Sequence, residues 1–175
     1  MTKTMDRAVI TLALAVLALA ALPLAVSPAA ATPNFGVRAG VTLDPDQVHL
    51  GAHARVAELP PSLAFVPNVE IGFGSDATVY AFNGELVYTA ESPSWRGWRP
   101  YFGGGIGLVI VKYDWPEIVA PADGVERDDS TEDIGASLLI GTRKTLNLGH
   151  EFFGELKLGL EDQPDLKVTV GLTFF

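Results

Sequence analysis

Leu166-Lys167-Val168-Thr169-Val170-Gly171-Leu172-Thr173-Phe174 is the stretch on which the fold class turns. Its apolar residues recur at every second position. In an extended chain that puts Leu166, Val168, Val170, Leu172 and Phe174 on one face and Lys167, Thr169, Gly171 and Thr173 on the other. A helix would scatter both sets around its axis. One apolar face backed by small, hydroxyl and charged residues describes a strand lying between two different environments.

The same alternation recurs toward the N-terminus, with turn residues between segments and no stretch that keeps a helical period. Phe35 to Leu43 alternates with Gly36, Arg38, Gly40 and Thr42, and Val48 to Val56 alternates with His49, Gly51, His53 and Arg55. After Pro60-Pro61, a segment carries Leu63, Phe65, Val69, Ile71 and Phe73 against Asn68, Glu70, Gly72 and Gly74. The next sets Tyr80, Phe82, Leu86 and Tyr88 against Ala81, Asn83, Glu85 and Val87. Trp98 to Tyr113 sets Phe102, Ile106, Leu108 and Ile110 against Tyr101, Gly103, Gly105 and Gly107. An acidic link, Asp114 to Glu132, follows it. Ile134, Ala136, Leu138 and Ile140 oppose Asp133, Gly135, Ser137, Gly141 and Arg143. Phe152, Leu156, Leu158 and Leu160 oppose Glu151, Glu155, Lys157 and Gly159. With the last segment the count is eight, and an even count suits an antiparallel sheet closed on itself.

The non-apolar face distinguishes a membrane barrel from a soluble sandwich. It is built of Gly and of scattered charges of both signs, as in a narrow lumen where side chains must fit and pair with one another. The apolar face then meets lipid. Segments of about ten residues, tilted about 40°, rise about 25 Å, the height of an outer-membrane apolar band. Closure also follows from the backbone, because an open sheet edge in hydrocarbon leaves N–H and C=O groups unpaired. Phe35, Tyr80, Tyr88, Trp98, Trp115 and Phe174 are candidates for interfacial aromatic girdles.

The N-terminus predicts export. Lys3 and Arg7 precede an Ala/Leu/Val run from Val9 to Val26, and Ser27-Pro28-Ala29-Ala30-Ala31 closes it. This is the layout of a secretory signal with Ala29 and Ala31 at the cleavage site, giving a signal peptide over residues 1–31 and one barrel domain over 32–175. A retained transmembrane helix is the competing reading of the same run. Pro23 and Pro28 and the missing basic stop-transfer cluster argue against it. The chain of 175 residues holds 12 basic and 21 acidic side chains, a net charge of −9, which disfavours a nucleic-acid partner. It has no Cys, so disulfides, thiolate metal sites and a Cys nucleophile are excluded.

Two stretches carry a family likeness: Pro100-Tyr101-Phe102-Gly103-Gly104-Gly105-Ile106-Gly107-Leu108, and the terminal Val168 to Phe175. With them the chain resembles the small outer-membrane barrels of the OmpA, OmpX and OmpW type, over nearly all of Asn34 to Phe175. The resemblance implies a closed eight-stranded antiparallel up-and-down transmembrane β-barrel in the Gram-negative outer membrane. It also implies that Val168, Val170, Leu172, Phe174 and Phe175 form the signal read by the barrel-assembly machinery, although Phe175 is out of phase with the alternation before it. The implied surroundings are outer-membrane lipid and lipopolysaccharide, and a monomer is expected.

Arg38, His49, His53, Arg55, Glu70, Glu85, Arg143, Glu155 and Lys157 are expected to point into the lumen as a paired polar network, since buried charge is costly without a partner. The sharper alternative is an ion path with exchangeable pairs, which an eight-stranded barrel is normally too narrow to hold. His49 and His53 fall on one face roughly 13 Å apart along a strand, too far to share a metal. The Gly103 to Gly107 run lacks the Gly-Lys-Ser/Thr of a phosphate loop. The acidic link lacks calcium-loop spacing and reads as a solvated loop. No Ser/His motif of the outer-membrane lipid-modifying enzymes is visible, and no cofactor is expected. The reading is a non-enzymatic integral barrel with an envelope-structural or surface-interaction role. Its rivals are a passive, OmpW-like conduit for small apolar solutes, a lipid-modifying enzyme, and a soluble secreted β-sandwich.

Overall fold

A computed structural model of the protein describes residues 33–43, 46–59, 62–75, 77–91, 95–113, 130–146, 149–160 and 164–175. The expected signal peptide with Ala29 and Ala31, Trp115, and most of the acidic link lie outside the described residues. Within them run β1 (Asn34–Leu43), β2 (Gln47–Arg55), β3 (Ala57–Leu59), β4 (Leu63–Phe73), β5 (Ala77–Thr89), β6 (Trp98–Tyr113), β7 (Ser130–Thr145), β8 (Glu151–Leu160) and β9 (Leu166–Phe174).

All of them pair antiparallel in one sheet of order β2-β1-β9-β8-β7-β6-β5-β4-β3, and a β2–β4 ladder closes the ring. β2 and β3 are two parts of one stave. His53 opposes Asn68 and Ala57 opposes Phe65, so three residues on one side face two on the other. That extra residue is a β-bulge, closed by the Val56 N–H donating to the Phe65 carbonyl at 3.1 Å. Pro67 of β4 lies opposite the break. It has no N–H to give to the ladder, which is why the pairing slips at this point. The result is a closed, eight-staved, up-and-down β-barrel.

The alternating segments of the sequence and the observed strands coincide most closely at β6 and β9. The acidic link ends sooner than its composition suggests. Ser130, Thr131 and Glu132 belong to β7 and pair with Lys112, Val111 and Ile110 of β6. Backbone pairing carries this hairpin on past the apolar alternation, and polar side chains do not stop a ladder whose partner strand continues. Gln47 and Ala77 open β2 and β5.

The two faces differ as sharply as the period requires. Outward side chains such as Phe35, Ile106, Ile134 and Ile140 are each about 60% or more exposed, and those of the other strands, such as Leu50, Val69, Leu86, Leu158 and Val170, are about half exposed. A continuous apolar exterior of this extent marks a surface made for something other than water. Inward side chains include Arg38, His49, Glu70, Glu85, Glu155, Lys157 and Lys167, all buried. The usual order of a soluble protein is reversed.

Glycine explains how bulky side chains fit within so narrow a ring. His53 pairs across the ladder with Gly36, His49 with Gly40, Tyr101 with Gly141, and Phe153 with Gly171. In each case the neighbouring ring lies in the space that a Cβ on the glycine would occupy. The lumen is therefore packed sideways, each large residue lying over the bare backbone of the next strand.

Candidate functional site

The midsection of the lumen is a cluster of six charges. Arg38 on β1 donates from Nη1 to Glu70 Oε1 at 3.1 Å and lies 3.9 Å from Glu85 and 3.7 Å from Glu155. Lys157 on β8 bonds to Glu85, and Lys167 on β9 donates to Glu70 Oε2 at 2.7 Å. Three cations thus meet three carboxylates. The Tyr101 hydroxyl adds a hydrogen bond to Glu155 Oε2 at 3.0 Å, and Asn83 donates to Asn68 at 2.9 Å beside the cluster. Strand parity aims these groups inward, and the closure of the ring brings residues far apart in sequence within reach.

The histidines hold hydroxyls. His49 is hydrogen-bonded to Thr42 Oγ1 at 3.1 Å and to Thr169 Oγ1 at 3.0 Å, and His53 to Thr173 Oγ1 at 3.0 Å. These contacts tie β2 to β1 and, across β1, to β9. Among the described residues no cluster of His, Asp and Glu is placed to hold a metal ion. Ser137 is buried on β7, with its backbone paired to Gly105 and Gly159, whereas both lumen histidines are engaged by threonines.

Toward the end from which both termini leave, an apolar ring of Val66, Val87, Tyr101, Leu139 and Phe153 borders the charge cluster. The Phe153 ring meets His53 edge-on at 5.2 Å and lies under the Arg38 guanidinium at 5.5 Å. A pocket among these groups has a volume of about 20 Å³, on the order of one water site. Beyond the ring, Glu151 accepts from Arg55 at 2.7 Å and from Arg99 at 3.0 Å, with Arg143 at 3.6 Å. This second cluster floors an open vestibule of about 670 Å³.

Of the residues singled out on the sequence, Arg38, Glu70, Glu85, Glu155 and Lys157 share the central cluster, Arg55 and Arg143 meet at Glu151, and His49 and His53 stand apart from both. Lys167 and Glu151 complete the two clusters and are not among those residues, although parity alone puts them on the inner face. Sequence reasoning also misses Arg99 and Phe153. Arg99 lies at the mouth, where the apolar alternation has faded, and Phe153 is an aromatic within the polar parity of its strand. On β9, Val168, Val170 and Phe174 face outward and exposed, and Phe175 follows the strand with its ring against Arg55.

An ion-pair cluster of this kind holds staves together across the lumen. Its charges balance and each member has an ion-pair or hydrogen-bond partner, although Arg38 Nε, Glu85 Oε2 and Glu155 Oε1 make no hydrogen bond among the described residues. The glycine-seated Tyr101 and Phe153 border it on one side. Removing one partner strands the rest in a medium that cannot solvate them.

No family model matches the chain, and no curated protein matches it. Among solved structures, neisserial surface protein A is similar over 81% of this chain and 94% of its own, with a TM-score of 0.59 and 12% identity. A major outer membrane protein of Thermus thermophilus covers 82% of this chain and 99% of its own (TM-score 0.49, 12% identity). The outer membrane protein Ail of Yersinia pestis covers 82% and 99% (TM-score 0.47, 10% identity). The likeness to the neisserial protein is one of fold: this chain has the closed antiparallel architecture of a small outer-membrane β-barrel.

Proposed function

We propose that the chain is an integral outer-membrane protein, exported through its N-terminal segment, that serves the envelope structurally or through its surface and carries no catalytic centre. The observation behind this reading is the blocked waist. The pocket between the balanced cluster around Arg38 and the apolar residues around Phe153 holds only about 20 Å³, which supports a closed waist, whereas a conducting barrel needs a continuous polar bore. Lipid tails cover the apolar exterior, and the assembly machinery delivers the chain to the membrane. The protein acts as a monomer, since the ring closes without help from a second copy.

The competing reading is a passive conduit for small solutes, which the vestibule at one mouth favours. Planar-bilayer recording of the purified, folded protein separates the two. The plugged barrel is expected to give a flat baseline at moderate voltage. Reproducible single-channel steps that vanish when the protein is unfolded would replace this reading with the conduit.

A further inference from the structure

The two charged clusters differ in their balance. At the waist three cations face three carboxylates, but at the vestibule floor three guanidiniums, Arg55, Arg99 and Arg143, converge on the single carboxylate of Glu151. Glu91, on the vestibule wall, is engaged by the Ser62 hydroxyl at 2.7 Å. We infer that this vestibule is a binding site for a phosphate group carried on a small, partly apolar molecule.

Arg143 supports the inference most strongly. It is 6% exposed, its Nε is buried with no hydrogen-bond partner, and its approach to Glu151 at 3.6 Å is longer than a hydrogen bond. The Tyr101 ring, 4.3 Å away, holds the guanidinium plane from one side. A cation buried with so little compensation gains from an incoming oxyanion, and planar guanidinium forks match phosphate oxygens two at a time. Glu91 also lines the vestibule, so its three guanidiniums exceed its two carboxylates by one positive charge; that surplus attracts an anion, and the several oxygens of a phosphate engage more of the guanidinium forks than one carboxylate does. The volume, about 670 Å³, lies in the range of small-molecule sites. Leu63, Ala64 and Phe175 give the wall an apolar part for the remainder of the ligand. Ser62, at φ 88°, adds the local backbone strain found at many binding sites, and its carbonyl is held by the Thr89 N–H at 2.7 Å.

The phosphate source is either a soluble phosphate ester or the headgroup of a lipid in the adjacent leaflet, and two probes distinguish them. The full barrel is folded in non-ionic detergent and titrated by calorimetry with phenyl phosphate and, separately, with a short-chain phosphatidic acid. Saturable binding of phenyl phosphate supports a site for soluble esters, and binding of the lipid alone supports a headgroup site. In either case Arg99→Gln weakens binding about tenfold, as expected for one lost charge-assisted contact, and Arg143→Gln weakens it further. Lys144→Gln, which removes the same charge from a side chain stacked on Trp98, leaves affinity unchanged. Arg143→Gln is at risk of misfolding. The Arg99 side chain is 45% exposed, so Arg99→Gln decides the matter in a barrel whose folding is checked by gel mobility. No saturable binding of either probe, or an affinity that Arg99→Gln does not change, overturns the inference.

Discussion

Arg38→Met is expected to cost about 3–5 kcal/mol of folding stability, the range for leaving buried charges without their partner. The change removes the one side chain that reaches all three central carboxylates. Glu70 keeps Lys167 and Glu85 keeps Lys157, but among the described residues Glu155 keeps no ion pair and only the hydrogen bond from the Tyr101 hydroxyl. The cluster then carries one uncompensated negative charge in the centre of the barrel. Adding Glu155→Gln to Arg38→Met restores neutrality while the new amide oxygen can still accept from Tyr101, and more than half of the loss should return. Urea unfolding of the protein in phospholipid vesicles, followed by tryptophan fluorescence, measures both variants. If the double variant is as unstable as the sum of the two single ones, the cluster is not held by charge balance.

The second large effect comes from a residue without a side chain. Gly171→Ala is expected to cost about 2–3 kcal/mol, the upper range for overpacking. Its Cβ would meet the Phe153 ring and come within 2.5 Å of the Val37 carbonyl oxygen. That oxygen belongs to the β1 backbone and cannot retreat without loosening the β1–β9 ladder, and the ring is confined by His53 and Arg38. Gly154→Ala on β8 is the control, since nothing lies within 4 Å of the Cβ it would gain. Its unfolding midpoint should match that of the unsubstituted protein. Equal midpoints for the two variants would show that the aromatic rings are not seated on glycine as described.

How much of this is legible in the sequence depends on what each feature is made from. Strand identity follows from a period of two, so β6 and β9 can be bounded almost to the residue, and the inward face of Arg38, Glu70 and Glu85 follows from the same parity. Pairing across the bore has no such local signature. That Lys167 meets Glu70 while Lys157 meets Glu85 depends on the stagger of a closed ring, which no single segment encodes. The bulge at Val56 escapes for a different reason. Its cause, Pro67, lies on the partner strand, so the β2 sequence reads as uninterrupted alternation. The start of β7 falls earlier than the alternation indicates because Ser130 to Glu132 have no apolar face, although their backbone pairs with β6. The vestibule is the least legible feature. Arg55, Arg99, Arg143 and Glu151 come from four strands and meet only at the mouth of the closed barrel.

The central claim, a closed membrane barrel, is tested most directly by gel mobility of the protein folded into phospholipid vesicles, run in mild detergent with and without boiling. Cross-barrel ion pairs and a ladder with no free edge should resist the detergent, so the unboiled sample is expected to run as a distinct band that boiling converts to the unfolded position. A single band at the same position in both lanes, or full recovery of the protein in detergent-free soluble fractions, would contradict the account.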